Sequence, residues 1–332
     1  MLKSLIKSWR LGPQHLLWLA IPPLLWWALR TVPLGEIGPL LSRIGPWQIA
    51  ALLAINIAVM LSFSGRWWFI LRGQGQPIGW LRLASYRLAA FGISYFTPGP
   101  QFGGEPFQVY ALMHRHGAPG TSSAASVALD KLLEMVVNFT IVSAGVVITL
   151  QANVLANRTG GAALIPAMLL LAIPVAYLIA AWRGRHPLAW MLGLLPARYR
   201  QREWYQRTRR AIRESEHEAG ELIRRQPASL ILATFISLVS WAGQMLEYWL
   251  AARFLGLTLS PLQLISIMTM AYIAFLTPLP GGLGALEAGQ VYILQALRLA
   301  PEAGLGIALI IRVRDILFGG IGLWLAGVVL KR

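Results

Sequence analysis

Nine ionisable side chains lie within apolar stretches of this chain. They are Glu105, Asp130, Lys131, Glu134, Glu247, Glu287, Arg312, Arg314 and Asp315. A charge at the centre of a bilayer costs about 2.5–3.5 kcal/mol on insertion scales, so these side chains are expected to face the protein interior. Two sets have helical spacing: Asp130 and Glu134 are four residues apart, and Arg312 and Asp315 are three apart. Each set therefore shares one helix face.

Two kinds of chemistry fit these charges. Buried ion pairs between helices would lock the fold together, which is a purely structural role. Alternatively, Lys131, Arg312 and Arg314 would offer cationic partners to a lipid phosphate, while the carboxylates balance them when the site is empty. The residue types and their spacing leave both interpretations open.

Two stretches interrupt the apolar pattern with proline and glycine. The first is FTPGPQFGGEP, at residues 96–106, and the second is LTPLPGGLGALEAG, at residues 276–289. Irregular backbone at membrane depth is tolerated only where protein or a water-filled cavity satisfies its polar groups. Each break is therefore expected to line a water-filled cavity or a tightly packed part of the protein.

A helix can begin at Gly104-Glu105-Pro106, because proline suits the first helical turn. Free N–H groups at such a terminus favour an anion, for example a phosphate headgroup. The alternative is that Glu105 and Glu287 only cap their own helices, since the helix dipole favours a carboxylate in the first turn.

The composition is that of a membrane protein. Of the 332 residues, 56% are hydrophobic and only 13% are charged, and the mean hydropathy is positive. The absence of cysteine excludes disulfides and thiolate chemistry. The basic residues behind the net charge of +16 lie mostly between the apolar runs. They are predicted to contact anionic lipid headgroups, since no nucleic-acid motif accompanies them.

The apolar runs predict one membrane domain over residues 1–332, with about six crossing helices. The predicted crossings are residues 15–29, 47–64, 122–150, 162–182, 229–252 and 305–330. Residues 183–227 form an arginine-rich linker whose apolar spacing suits a helix on the membrane surface. The first of the six runs has the form of a retained signal anchor, because Lys3, Lys7 and Arg10 precede it without a convincing cleavage site.

Loop charge predicts the orientation. Under the positive-inside rule both termini and the linker are cytoplasmic, which places the protein in the cytoplasmic (inner) membrane. An even number of crossings is then needed between each terminus and the linker. The broken regions at residues 88–113, flanked by Arg82, Arg87, His114 and Arg115, and at residues 262–297 are therefore predicted to be re-entrant hairpins that enter from opposite faces.

The two halves of the chain repeat each other. Residues 47–150 and 228–330 share an ordered series of matches: Thr97-Pro98 with Thr277-Pro278, Gly103-Gly104 with Gly281-Gly282, and Gln108-Val109-Tyr110 with Gln290-Val291-Tyr292. A charged segment follows each series, ALDKLLEM in the first half and IIRVRDIL in the second. Inverted repeats with broken helices meeting near the midplane are typical of transporters.

These hairpins and charged helices resemble the lysylphosphatidylglycerol synthase transmembrane family, a flippase-like region, from about residue 47 to residue 330. By resemblance, the Thr-Pro, Gly-Gly and Glu residues of both breaks occupy the family's hairpin positions. The family often has Glu-Arg where this chain has Asp130-Lys131. Two-domain members carry a soluble aminoacyl-transfer domain, which this sequence lacks; the resemblance implies lipid translocation or binding and no aminoacylation.

The predicted function is to bind an anionic phospholipid or lipid-linked headgroup and move it between leaflets, with the acyl chains left in the bilayer. The predicted partners are anionic membrane lipids, with a homo-oligomer possible and no nucleic acid. The alternatives are a membrane-embedded lipid-modifying enzyme, with Glu105 or Glu287 as general base, and a non-transporting assembly factor. No catalytic residue, metal or cofactor is predicted. The predicted substrate-binding residues are Thr97, Pro98, Gly103, Gly104, Glu105, Asp130, Lys131, Glu134, Thr277, Pro278, Gly281, Gly282, Glu287, Arg312, Arg314 and Asp315.

Overall fold

The computed structural model describes residues 39, 42, 44–97, 103–152, 154, 157–277 and 279–331. Every regular element among these residues is helical, which confirms the predicted all-α class. The helices are α1 (Pro46–Gly73), α2 (Trp80–Phe96), α3 (Glu105–His116), α4 (Gly120–Gln151), α5 (Asn157–Trp182), α6 (Pro187–Leu192), α7 (Ala197–Arg200), α8 (Glu203–Arg225), α9 (Pro227–Phe254), α10 (Pro261–Phe275), α11 (Ala285–Ala296) and α12 (Pro301–Lys331). A 3-10 turn at Pro280–Gly282 precedes α11.

Five of the described helices are long and apolar enough to cross a bilayer. They are α1, α4, α9, α12 and the Ile165–Trp182 part of α5. These five correspond to five of the six predicted crossings. The remaining predicted crossing, residues 15–29, lies outside the described residues. The chain is an integral membrane protein.

Proline marks where several helices begin. Pro46, Pro227 and Pro261 start α1, α9 and α10, at a position where the missing N–H has no intrahelical partner to lose. Before α10, Ser260 adds a cap, because its hydroxyl oxygen accepts a hydrogen bond from the Gln263 N–H at 3.3 Å. The ends of the long helices are thus encoded locally.

The first break separates α2 from α3. Helix α2 ends at Phe96, and the Thr97 hydroxyl turns back to donate to the Ile93 carbonyl at 2.6 Å. Helix α3 then starts at Glu105. A Cβ on Gly104 would collide with the Ala90 carbonyl, so the backbones of the two short helices are in direct contact here. Pro98 lies outside the described residues.

The second break separates α10 from α11 and depends on glycine more strongly. Gly281, Gly282 and Gly284 have φ angles of 54°, 62° and 79°, values that side chains with a Cβ rarely adopt. The Thr277 hydroxyl donates to the Ala274 carbonyl at 2.7 Å, as Thr97 does in the first half. Pro278 lies outside the described residues. Both predicted interruptions are therefore present as breaks between short helices.

The two halves have the same order of helices: long, short, break, short, long. The lengths are 28, 17, 12 and 32 residues in the first half and 28, 15, 12 and 31 in the second. The inverted orientation of the halves and the re-entrant path of each hairpin stay predictions.

The halves are interlocked. Helix α1 packs along α9, where the Ser62 and Ser240 hydroxyls lie 2.7 Å apart. Helix α2 packs on α12 of the other half, and α10 packs on α4. Both contacts use glycine: Gly92 lies against the α12 backbone, and Gly145 lies against Thr269 of α10. Such small residues let helix backbones approach closely in a membrane.

The predicted linker contains α6, α7 and α8. Ala219 and Leu222 of α8 are buried against a cluster that includes Ile70 of α1 and Leu129 of α4. The buried Glu216 carboxylate accepts hydrogen bonds from the Tyr177 hydroxyl at 2.9 Å and from two backbone N–H groups at the start of α6. One side of α8 is thus fixed to the bundle. The cytoplasmic position of the linker stays a prediction.

The α2–α12 contact leads to a stability prediction. A Cβ at Gly322 would lie on the Leu88 carbonyl, whereas a Cβ at Gly320 meets nothing within 4 Å. We expect Gly322→Ala to lower the free energy of unfolding by about 1–3 kcal/mol, because the two backbones must move apart. Gly320→Ala is the matched control and should be neutral or slightly stabilising, since alanine favours helix. Thermal unfolding in detergent micelles measures both, and equal midpoints would contradict the close contact.

Candidate functional site

A cavity of about 200 Å³ with both charged and apolar walls lies where the two halves meet. A cavity needs roughly 10–15 Å³ of such space to hold one water, so this one is large enough for a group the size of a phosphate. Charged walls come from both halves: Arg87, Glu105, Asp130, Lys131, Glu134, Arg314 and Asp315. Amide and phenol groups complete the polar lining, and phenylalanine rings supply apolar surface.

The wall from the first half is built around two carboxylates on α4. Asp130 and Glu134 face the same way, as their spacing predicts. The Arg66 guanidinium of α1 bridges them, with Nε 2.7 Å from Asp130 Oδ1 and Nη2 2.6 Å from Glu134 Oε2. Arg87 of α2 also donates to both carboxylates, and its Nη2 lies 2.7 Å from Glu134 Oε2. The side chain of Arg66 is 1% exposed, whereas Arg87 lines the cavity.

Lys131 ties the first break to this wall. Its Nζ lies 2.8 Å from Glu134 Oε1 and 3.6 Å from Glu105 Oε1. Glu105 also accepts a hydrogen bond from the Gly103 N–H at 2.8 Å, so the same carboxylate caps its own helix. The Gly104 N–H donates to the Ser94 hydroxyl at 2.9 Å. The N–H groups of Gly103 and Gly104, just before α3, therefore have protein partners.

The wall from the second half is built around Arg314. Its Nη1 lies 2.6 and 2.5 Å from the two oxygens of Glu247 on α9, and its Nε lies 2.8 Å from Asp315 Oδ1. Asn56 of α1 joins this group across the two halves, since its amide donates to Glu247 at 3.0 Å and accepts from Arg314 at 3.2 Å. One arginine therefore serves two buried carboxylates.

Arg312, on the same helix, binds the second break and does not line the cavity. Its guanidinium is bidentate to Glu287, with contacts of 2.7 and 3.2 Å. It also donates to the Gly281 carbonyl, and to the Gly282 carbonyl at 2.9 Å. Glu287 accepts from the Gly284 N–H at 2.8 Å as well. Arg312 and Glu287 together satisfy the polar backbone of the second break.

The two breaks are in contact. Tyr95, at the end of α2, receives a hydrogen bond from Arg312 Nη1 at 3.2 Å, and its ring closely approaches Gly281. Tyr95 also lines the cavity. The first break therefore lines the cavity, and the second break contacts the cavity-lining residue Tyr95.

A family match covers this whole arrangement. The model described as the lysylphosphatidylglycerol synthase TM region matches residues 21–322. The chain belongs to this family. Comparisons with curated proteins and with solved structures find no match. The resemblance inferred from the hairpins is confirmed, and the match begins closer to the N-terminus than the hairpin motifs indicated.

In this family member the predicted site residues fall into two groups. Seven line the cavity: Gly104, Glu105, Asp130, Lys131, Glu134, Arg314 and Asp315. Seven others form or support the breaks without lining it: Thr97, Gly103, Thr277, Gly281, Gly282, Glu287 and Arg312. Pro98 and Pro278 are outside the described residues. The cavity-lining group contains the residues that can contact a ligand there.

The structure differs from the sequence prediction in its ion pairs. Arg312 and Asp315 have the spacing of one helix face, yet Arg312 pairs with Glu287, and Asp315 pairs with its neighbour Arg314. Arg87 was predicted to flank the first hairpin, yet it lies inside α2 and faces Asp130 and Glu134. Spacing along one helix fixes which residues share a face. It does not fix which carboxylate on a neighbouring element each guanidinium can reach.

Sequence reasoning missed Arg66 and Asn56. Both lie on α1, and Arg66 follows the end assigned to the first-half crossing at residue 64. The apolar pattern in fact continues through Ile70 and Leu71, which are buried. That continuation was the available signal, because it places Arg66 inside a long helix and not in a loop.

Proposed function

We propose that the protein binds the phosphate-bearing headgroup of an anionic phospholipid, or of a lipid-linked headgroup, in this cavity and moves it between leaflets. The observation that carries the proposal is the cavity with charged walls from both halves, which the first break lines and which Tyr95 connects to the second break. Irregular backbone and charges at membrane depth are costly, and they are characteristic of substrate pathways. In the lysylphosphatidylglycerol synthase TM-region family, a lipid is the natural substrate class.

The size and lining of the cavity favour a headgroup. About 200 Å³ accommodates a phosphate and its immediate substituent, while the acyl chains stay among the apolar helix surfaces outside. The exposed faces of the long helices provide that surface, with side chains such as Ile231, Phe235 and Trp324. Alternating exposure of the cavity to the two leaflets would then move the headgroup.

A phosphate would bind by exchange with carboxylates. Arg87, Lys131 and Arg314 line the cavity, and each is ion-paired to a carboxylate on the protein. Arginine recognises phosphate and carboxylate with the same planar fork of donors, so one anion can replace the other with little change in geometry. The pairing keeps the empty cavity nearly neutral and makes binding selective for an anion that satisfies several donors together.

The function is tested by lipid translocation in reconstituted vesicles. Purified protein is incorporated into phosphatidylcholine vesicles that contain a small fraction of a phosphatidylglycerol labelled on its acyl chain. Protection of the label from a membrane-impermeant quencher then reports movement between leaflets. We expect protein-dependent movement with no change in lipid mass. A change in lipid mass would indicate an enzyme, and the absence of both movement and lipid binding would overturn the proposal.

Lys131 provides the most useful variant. Lys131→Gln removes a cavity cation, while Glu134 keeps Arg66 and Arg87 as partners, so the fold should be retained. We expect about a ten- to hundredfold loss of phosphatidylglycerol translocation, because one charge-assisted contact to phosphate is worth roughly 1.5–3 kcal/mol. Lys331→Gln, at the exposed end of α12, is the matched control. Unchanged rates in both would remove Lys131 from the site.

A further inference from the structure

The buried charges of the second half do not balance. In the first half three cations, Arg66, Arg87 and Lys131, accompany three carboxylates, Glu105, Asp130 and Glu134. In the second half two cations, Arg312 and Arg314, accompany three carboxylates, Glu247, Glu287 and Asp315. Within these two groups of described residues, one carboxylate is therefore in excess.

The excess belongs to the group around Arg314. Arg312 and Glu287 form a complete bidentate pair. Both oxygens of Glu247 accept hydrogen bonds from Arg314, and Glu247 also accepts one from the Asn56 amide. Asp315 has Arg314 as its partner within the described part of the chain, and both contacts go to the same oxygen, Oδ1. Asp315 is thus the least satisfied of the three carboxylates.

Asp315 is also the one that the cavity reaches. Its side chain is 5% exposed and lines the cavity together with Arg314, whereas Glu247 is 1% exposed and does not line it. Of the three carboxylates in the second half, Asp315 is therefore the one that a proton arriving through the cavity would reach. An uncompensated charge is costly in a low-dielectric interior, and binding one proton removes it.

Among the residues that the structure describes, the groups around Asp315 give it no further positive partner. On its own helix these are Arg314 and Arg312, the second of which is committed to Glu287. Helix α2 contributes Tyr95 and Arg87, which is committed to Asp130 and Glu134. Helix α9 contributes Glu247 and Tyr248. A second anion entering beside Arg314 would increase the imbalance unless a proton came with it.

We propose that Asp315 takes up one proton when a lipid phosphate binds at Arg314. The proton comes from the bulk aqueous solution through the cavity and forms an O–H bond on the Asp315 carboxylate. The neutral acid no longer competes for the Arg314 guanidinium, whose N–H groups donate to the phosphate. One negative charge enters and one is neutralised, so the net charge of the site is unchanged. This inference rests on the proposed function and couples headgroup binding to a proton.

The sign of the pH dependence follows. When Asp315 is already protonated, binding needs no proton and affinity is highest. When Asp315 is ionised, each bound phosphate requires one proton, so affinity falls by up to about tenfold per unit rise in pH. Asp315→Asn imitates the neutral acid and should bind with high affinity that does not vary with pH. Glu302→Gln, at an exposed position on the same helix, is the matched control and should behave as the unaltered protein does.

The test measures binding of a short-chain phosphatidylglycerol to the full chain in detergent micelles, at a series of pH values. A weakly buffered sample with a pH indicator reports in parallel whether one proton is taken up per lipid bound by the unaltered protein, so the result does not depend on the folding of a variant. Binding without proton uptake, or an equal pH slope in Asp315→Asn, would overturn this inference and leave the proposed function standing. Absence of lipid binding at every pH would overturn both.

Discussion

Replacing Arg66 by alanine is expected to lower the free energy of unfolding by about 3–5 kcal/mol. Arg66 is 1% exposed and joins Asp130 and Glu134 through contacts of 2.7 and 2.6 Å. Removing one partner of a buried ion pair leaves uncompensated charge in a low-dielectric interior, which costs more than the pair itself contributes. Arg87 would remain as a partner of both carboxylates, but it is the more exposed cation, at 13%.

The control for Arg66 lies on the same helix. Arg72 is exposed near the end of α1, where its guanidinium lies 4.1 Å from the Trp68 ring centroid. Arg72→Ala should change the unfolding free energy by less than about 1 kcal/mol, as expected for a cation–π contact at an exposed site. Thermal unfolding in detergent compares the two variants. Equal unfolding midpoints would mean that Arg66 is solvated and that its ion pairs with Asp130 and Glu134 of α4 do not stabilise the fold.

The breaks and the long helices could be predicted from sequence because their causes are local. An apolar run of about 20 residues has few alternatives to a crossing helix, and dense clusters of proline and glycine favour a break between helices. The positive φ angles at Gly281, Gly282 and Gly284 are a direct consequence of residue type. The order of elements in each half follows from these signals alone.

The choice of ion-pair partner could not be predicted in the same way. Asp130 and Glu134 share a face by spacing, and the structure agrees. Their partners, however, come from α1 and α2, whose positions depend on tertiary packing. The same applies to Arg314, whose carboxylate partner Glu247 lies 67 residues away. Helical periodicity reports which residues share a face but not which helix that face meets.

The interlocked halves restrict how the cavity could change its exposure. Helix α2 packs on α12 through Gly92, and α10 packs on α4 against Gly145. A rigid rotation of one half against the other would separate both contacts at once. Under the proposed function, we therefore expect the short broken helices to move along the long helices of the other half. Gly92 and Gly322 bring the α2 and α12 backbones into direct contact there.

Replacing Arg312 by alanine is expected to disrupt the second break and to lower the free energy of unfolding by about 3–5 kcal/mol. The guanidinium satisfies the Gly281 and Gly282 carbonyls and the Glu287 carboxylate. Without it, two carbonyls in the bend and one carboxylate lose their charged donor, and neighbouring apolar side chains cannot replace it. Lipid translocation in Arg312→Ala should fall as a consequence of the lost fold.

Comparison with lysine separates charge from geometry at this position. Arg312→Lys keeps the cation but has no planar fork, so it can pair with Glu287 and still leave a carbonyl of the break without a donor. We expect it to recover only part of the lost stability. Arg298→Ala is a suitable control, because Arg298 lies in the turn between α11 and α12 and not in the break. If Arg312→Ala instead keeps the unfolding midpoint of the unaltered protein and loses only translocation, Arg312 would be a lipid-binding residue and not the clamp of the second break.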